Sequence, residues 1–321
     1  GGFGRTYLAE DLGRFQERCA VKEFAPSQSD GYFSNKSKEL FQREAATLYQ
    51  IQHPQIPQFR ATFEHEGRLF MVQDYVAGAT YRELLNQRLV QGQRFTETEI
   101  RQFLQQMLPI LAHIHSKGSI HRDITPDNII LSQPDQRPVL IDFGVVKEFV
   151  TRLQTAATIA PGQVATTVGK LGYAPSEQMQ TGNAYPSSDL YALAVTAIVL
   201  LTGREPQQLF DDRTATWTWE QWAQVDPTLA AVLNRALRYL PGDRFQTVAE
   251  MAQALAQGAA SAGAPSAVPP SPQAGGAYVP PTITPINSPT PTPPSPPGQP
   301  PSPLPSPAGT AAEPNLSHMN T

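Results

Sequence analysis

The sequence predicts an α+β fold with a strand-rich N-terminal part, a helix-rich C-terminal part and a proline-rich tail. Residues 4–25 and 59–74 contain short apolar runs separated by turn residues, which is typical of strands. From residue 80 onward, apolar side chains recur at helical spacing. The tail differs in composition, because 19 of the 32 Pro lie in residues 258–321.

The N-terminal part contains four predicted strands and one helix. Thr6–Ala9 and Cys19–Lys22 flank Asp11-Leu12-Gly13, which has the composition of a turn. A helix follows over 37–51, where apolar residues are spaced about one turn apart. The other two predicted strands are Phe59–Glu64 and Leu69–Asp74.

The C-terminal part is predicted to be mainly helical. Short strands are expected only at Ile129–Leu131 and Val139–Ile141. We expect Trp217, Trp219 and Trp222 to pack between helices. The predicted helices cover residues 80–90, 97–116, 187–202, 227–239 and 246–256.

The tail has too few apolar residues to form a core. Glu313 is its only carboxylate, and it contains no Lys or Arg. Burial of so little surface cannot offset the loss of chain entropy, so we expect residues 258–321 to be disordered with polyproline II character. The preceding 257 residues are long enough for a sizeable core.

Overall composition limits the classes of function. The net charge is −4, from 24 Lys and Arg against 28 Asp and Glu, which argues against a dedicated nucleic-acid-binding protein. A single cysteine, Cys19, fits a reducing compartment, and we expect a cytoplasmic location. The apolar run 191–201 is too short to cross a bilayer, so no membrane segment is expected in this chain.

The first residues are unusual. The chain opens on Gly1-Gly2-Phe3-Gly4 and has no initiator Met. We therefore expect a fragment that lacks its first strand. Membrane attachment through a region beyond the C-terminal end stays open as an alternative.

Three motifs follow one another in a fixed order. Lys22 ends Cys19-Ala20-Val21-Lys22, His121-Arg122-Asp123 precedes Asn128 by five residues from the Asp, and Asp142-Phe143-Gly144 comes third. Each residue type suits one task in phosphoryl transfer. A cation holds the phosphates, a carboxylate orients the attacking hydroxyl, and Asn and Asp oxygens bind Mg²⁺.

With this order and spacing, the motifs resemble the signature set of protein kinases. The resemblance covers residues 1–257 and is greatest to bacterial eukaryotic-like Ser/Thr kinases of the cyanobacterial type. It implies a two-lobe fold, with an N-lobe over about 1–76 and a C-lobe over about 77–257. It also implies transfer of the γ-phosphoryl group of ATP, with Mg²⁺ or Mn²⁺, to Ser or Thr of protein substrates.

The resemblance assigns a nucleotide site and a catalytic site. Asp123 becomes the catalytic base, and Asn128 and Asp142 become the metal ligands. His121 is expected to pack and not to shuttle protons. Glu44 is the expected partner of Lys22, with Glu39 as a competitor, and Gln73 is the gatekeeper. The residues assigned to ATP binding are Gly1, Gly2, Phe3, Gly4, Ala20, Lys22, Glu44, Asp74 and Val76.

One departure concerns specificity. Ser/Thr kinases usually carry Lys two residues after the catalytic Asp and Thr ahead of the A-P-E motif, whereas this chain has Thr125 and Lys170 there. We interpret this as a compensated exchange that keeps one ammonium and one hydroxyl beside Asp123. It weakens the Ser/Thr assignment.

The resemblance also implies control and structural support. Thr166 or Thr167 is the expected phosphorylation site in the long loop after Gly144, with a homodimer for trans-autophosphorylation. Glu177, Arg244 and Asp189 match charged residues that hold the C-lobe together. The alternative is a non-catalytic pseudokinase scaffold that presents its Pro-rich tail to partner domains.

Overall fold

A four-stranded antiparallel sheet forms the first part of the fold. The computed structural model describes residues 5–24, 39, 41–42, 45–143, 170 and 172–261. In this sheet the strands lie in the order β1-β2-β4-β3. Their bounds are β1 Arg5–Asp11, β2 Glu17–Phe24, β3 Phe59–His65 and β4 Arg68–Asp74.

The register of the sheet fixes the position of Lys22. On β2, Lys22 lies opposite Thr6 of β1 and Met71 of β4. Two residues earlier, Ala20 lies opposite Gln73. Because strand β2 is hydrogen-bonded on both edges, Lys22 is held on a rigid element.

One helix belongs to this first part. Its described residues are 39, 41–42 and 45–50, which we call α1, and they fall within the predicted range 37–51. Phe41, Ala45 and Leu48 are buried, at the spacing of one helix face. The ring of Phe41 packs 5.4 Å from that of Phe24 on β2, which joins the helix to the sheet.

Seven further helices follow in the described part of the chain. Helix α3 packs on α5 and α8, and α5 is buried along almost its whole length. Thr96 and Glu99 form a reciprocal capping box that fixes the start of α3. The bounds are α2 Tyr81–Val90, α3 Glu97–Ser116, α4 Ser176–Thr181, α5 Pro186–Thr202, α6 Pro206–Leu209, α7 Pro227–Ala236 and α8 Val248–Ser261.

A small three-stranded sheet positions two of the sequence motifs. Its strands, in the order β5-β6-β7, are β5 Gly78–Thr80, β6 Ile129–Ser132 and β7 Pro138–Leu140. Asn128 directly precedes β6, and Asp142 follows β7 by two residues. Gly78 has φ +157°, and a Cβ there would lie 2.1 Å from the carbonyl oxygen of Leu131. Only glycine therefore allows β5 to approach β6 this closely.

The predicted α+β fold class is confirmed, with differences at the ends of elements. Helix α7 ends at Ala236, before the predicted 239. Helix α8 begins at Val248 because Thr247 caps it by accepting the N–H of Glu250 at 3.2 Å. It continues to Ser261, past the predicted boundary at 257.

A hairpin between α6 and α7 was absent from the sequence prediction. It pairs β8 Phe210–Asp211 with β9 Thr216–Trp217. Trp219 is fully buried and donates its indole N–H to Asn234 at 2.9 Å, as expected for a core residue. Trp222 is 37% exposed and lies under the guanidinium of Arg204, so its predicted place in the core is wrong.

The chain divides into two units. The first is Gly1–Ser266, and the second, Ala267–Thr321, lies wholly outside the described residues. Within the described ranges, no helix combines the length and apolar character needed to cross a bilayer.

Candidate active site

Asp189, near the start of α5, anchors the backbone of residues 121–128, which we call the catalytic loop. Its carboxylate is fully buried and accepts the backbone N–H groups of His121 and Arg122, both at 2.9 Å. His115 of α3 lies 2.8 Å from the same carboxylate. Arg122 has φ +69°, an unusual conformation that these bonds support.

The side chain of Asp123 is held by the other end of the loop. The amide nitrogen of Asn128 donates to the carboxylate of Asp123 at 2.6 Å and to its backbone carbonyl at 2.8 Å. Asp123 is only 5% exposed, so its carboxylate has little freedom to turn. Since both bonds use Nδ2 of Asn128, its Oδ1 is the atom that can face a cation.

His121 is a buried packing residue. Its ring lies 4.6 Å from the ring of Phe143. Burial lowers the pKa of His121, and the opposing effect of Asp189 and Asp123 does not reverse this. The imidazole is therefore neutral near pH 7 and suited to packing.

Lys22, on the interior strand β2, meets Asp142. Its ammonium forms an ion pair with the carboxylate of Asp142 and donates to Oε1 of the buried Gln73 at 2.5 Å. Asp142 has φ +59°, and the backbone N–H of the preceding Ile141 donates to the carbonyl of Asn128 at 2.9 Å. The structure thus pairs Lys22 with Asp142 and ties the residue before Asp142 to Asn128.

The end of β4 lies beside this site, because Asp74 is its last residue and follows Gln73, which binds Lys22. The N–H of Asp74 donates to the carbonyl of Gln58 at 3.0 Å, and its carboxylate accepts from Arg60 at 2.6 Å. Val76 is half-buried two residues further on.

Lys170 differs from the sequence expectation in its partner. Its ammonium donates at 2.5 Å to Asp127, four residues after Asp123 in the loop. The hydroxyl of Thr125 is buried and makes no hydrogen bond within the described part of the chain. Lys170 thus pairs with Asp127, and the meeting of Thr125 and Lys170 at Asp123 stays a prediction.

Glu177 and Arg244 form a buried bidentate ion pair. The two guanidinium nitrogens donate to the two carboxylate oxygens at 2.7 and 3.1 Å, and Arg244 is 1% exposed. Ser188 of α5 donates to Glu177 at 2.8 Å. The guanidinium also lies 4.6 Å from the ring of Tyr191. This pair joins α4 to α5 and to the segment before α8.

A family model of the protein kinase domain matches residues 1–257. The chain belongs to the protein kinase family. Membership implies ATP as the phosphoryl donor. Residues 121–128 carry the sequence motif H-R-D-x-x-x-x-N, and Asp142 and Phe143 begin the motif D-F-G.

Curated relatives support the same assignment. The chain is 43% identical over 260 residues to Serine/threonine-protein kinase C of Synechocystis sp., covering 79% of this chain and 47% of the relative. It is 41% identical over 266 residues to Serine/threonine-protein kinase PknA of Nostoc sp., covering 81% and 46%. The chain spans about half the length of the curated relatives it matches.

Solved kinase structures share the fold. The structure titled "PpkA-294 apo form" has a TM-score of 0.64 at 29% identity and covers 79% of this chain and 92% of that chain. The PknI kinase domain of Mycobacterium tuberculosis has a TM-score of 0.60 at 27% identity, with 80% and 92% covered.

Several site residues predicted from the sequence lie outside the described part of the chain. The positions of these residues relative to Lys22 and Asp123 therefore stay predictions. They are Gly1, Gly2, Phe3, Gly4, Glu44, Gly144, Thr166 and Thr167.

The sequence did not predict a polar network around Asp127 and the backbone of Arg122. Arg82 of α2 contacts Asp127, Tyr173 and Glu205. Gln178 of α4 donates to the carbonyl of Arg122 at 2.7 Å. The only signal in the sequence was Asp127 itself, which is the only carboxylate between Asp123 and Asn128.

Proposed function

We propose that the protein transfers the γ-phosphoryl group of ATP to Ser and Thr hydroxyls of proteins. The observation that carries this proposal is the pair of bonds from Asn128 to Asp123, which fixes the buried Asp carboxylate of the motif H-R-D-x-x-x-x-N. The names of the relatives in Synechocystis and Nostoc support Ser and Thr as acceptors.

Asp123 is the proposed base. A substrate hydroxyl that donates to its carboxylate is oriented for attack on the γ-phosphorus of ATP. As the new P–O bond forms, the bond from the γ-phosphorus to the β–γ bridging oxygen breaks, ADP leaves with that oxygen, and the carboxylate takes up the hydroxyl proton. The Asp123 carboxylate needs no reorganisation when substrate arrives, because Asn128 already holds it. Asp189 contributes indirectly by fixing the backbone of His121 and Arg122.

The nucleotide is proposed to lie between β2 and the segment after β4. Ala20 and the backbone of Asp74 and Val76 would contact adenine, as in the kinase family. Lys22 would hold the phosphates, and Glu44 is its proposed partner when ATP is bound. The described contacts of Lys22 run to Asp142 and Gln73, and an ammonium has three N–H donors, so one more can serve a phosphate.

The donor set fits Mg²⁺ or Mn²⁺. Asn128 presents an amide oxygen and Asp142 a carboxylate, and hard cations of this size prefer such oxygen ligands. We propose these two residues as the protein ligands. A bound Mg²⁺ supplies positive charge that stabilises the phosphate oxygens during transfer.

We also propose activation by autophosphorylation. The hydroxyl-rich stretch that contains Thr166 and Thr167 leads towards Lys170, so a phosphate there would lie close in sequence to the residue that binds the catalytic loop. One copy of the chain acting on another provides the acceptor.

Incubation with radiolabelled ATP and Mg²⁺ tests the proposal. With dephosphorylated casein as acceptor, acid hydrolysis should release phosphoserine and phosphothreonine but no phosphotyrosine. Asp123→Asn should abolish the label, and Asp135→Asn, at an exposed position, is the matched control. Mapping of label in the protein itself tests Thr166 and Thr167. Absence of label in casein and in the protein itself would refute phosphotransfer.

A further inference from the structure

One carboxylate oxygen of Asp127 contacts two cationic side chains. Asp127 lies in the 3₁₀ turn Pro126–Asn128. Its Oδ2 accepts from Lys170 at 2.5 Å and lies 3.6 Å from Nε of Arg82.

Arg82 links this carboxylate to two other segments. It extends from α2, and its side chain is only 15% exposed. One terminal nitrogen donates to the hydroxyl of Tyr173 at 2.7 Å, and the other donates to Glu205 at 2.7 Å. A planar guanidinium can serve three partners at once, which an ammonium on a flexible stem cannot do with the same geometry.

The segment that carries Lys170 and Tyr173 is closely packed. We call residues 170 and 172–174 the acceptor segment. The carbonyl of Lys170 accepts the N–H groups of Tyr173 and Ala174 at 3.0 and 3.3 Å. Gly172 has φ +87°, and a Cβ on it would lie 2.7 Å from Cβ of Pro206. The segment is thus fixed from one side by α6 and from the other by Arg82 and Asp127.

We propose that Lys170, Asp127 and Arg82 form a clamp that holds the acceptor segment against the catalytic loop and so positions the protein substrate at Asp123. Asp127 and Asn128 are adjacent in one turn, and Asn128 binds Asp123. A shift of Asp127 is therefore passed through one peptide unit to the proposed base. Lys170 and Arg82 are positioning residues, since they act through Asp127. This inference rests on the proposed phosphotransfer.

Steady-state kinetics of the full chain with dephosphorylated casein test the clamp. Lys170→Met and Asp127→Asn should each lower kcat/KM for casein by about tenfold, with KM for ATP changed by less than about twofold. The double variant should be no worse than Asp127→Asn alone, because Lys170 acts through that carboxylate. Arg88→Met is the matched control. It removes an Arg from the same helix, paired with Glu99 away from the site.

Amide hydrogen exchange provides a second test, which does not depend on kinase activity. The Tyr173 and Ala174 amides should exchange faster in Asp127→Asn than in the wild type or Arg88→Met. Unchanged exchange, equal losses for ATP and casein, or losses that multiply in the double variant would each overturn the clamp. If neither the wild type nor Arg88→Met phosphorylates casein, the proposed function fails, and the exchange rates still decide the clamp.

Discussion

The side-chain amide of Asn128 binds both the carboxylate and the backbone carbonyl of Asp123, at 2.6 and 2.8 Å. One residue therefore fixes the orientation of the proposed base and the conformation of the loop that carries it. Because only Nδ2 is used, the same side chain can also offer its oxygen to a metal. The two proposed roles of Asn128 are compatible for this reason.

Asn128→Ala should lower both stability and activity. It leaves the nearly buried carboxylate of Asp123 without its amide donor, which costs about 1–3 kcal/mol in the free energy of unfolding. Urea denaturation measures this cost, and kcat should fall with it. A variant with unchanged stability would show that water replaces the amide.

Removal of Glu177 should destabilise the C-lobe strongly. Glu177→Ala leaves Arg244 buried without a counter-charge, and loss of one partner of such a pair costs about 3–5 kcal/mol. Arg88→Met is the comparison, because its pair with Glu99 is partly exposed and such pairs contribute about 0.2–1 kcal/mol. Equal denaturation midpoints for the two variants would contradict this account.

The free energy of unfolding should decrease as the pH falls below about 6.5, the pKa of an unperturbed His. Burial and the nearby His113 ring, 5.4 Å away, lower the pKa of His53, so protons bind the unfolded chain more readily. The stabilisation is complete above the unfolded pKa and is lost as pH falls towards the folded value. Protonation also removes the acceptor for the N–H of Gln55.

Melting temperatures between pH 8 and pH 5 measure this effect. His53→Gln should show a smaller decrease over this range than the wild type. His65→Gln removes an exposed imidazole and is the control. If His53→Gln and the wild type lost stability in parallel, His53 would not contribute.

Substitutions of Lys22 and Asp142 should impair different parts of the reaction, phosphate binding and metal binding. Lys22→Met removes the cation proposed for the phosphates, so both KM for ATP and kcat should suffer. Asp142→Ala removes a proposed metal ligand, so its residual activity should need more Mg²⁺. Titration of activity against Mg²⁺ at saturating ATP separates the two. A normal Mg²⁺ dependence in Asp142→Ala would remove it from the metal site.

The sequence was most informative where function depends on local spacing. Lys22 on its strand, and Asp123 and Asn128 in one loop, could be predicted because neighbouring residues determine the strand and the loop. That Asp142 belongs to the same site as these residues followed only from the family resemblance.

Long-range partners could not be predicted in the same way. Lys170 binds Asp127 and Arg82 reaches Tyr173 because three separate segments pack together. No periodicity in the sequence records such packing. The hairpin of β8 and β9 was missed because strands of two residues leave no alternating pattern. Trp222 was misplaced because an apolar ring can also be covered by a guanidinium.

Asp123→Asn is the sharpest test of the proposal that Asp123 is the base for transfer to a protein hydroxyl. The amide keeps the size of the side chain but cannot accept the proton, so kcat for casein phosphorylation should fall by about 10²–10⁴-fold. The Kd for ATP should stay within about twofold of the wild-type value, because Asp123 acts on the acceptor. A variant that phosphorylates casein at the wild-type rate would contradict the proposal.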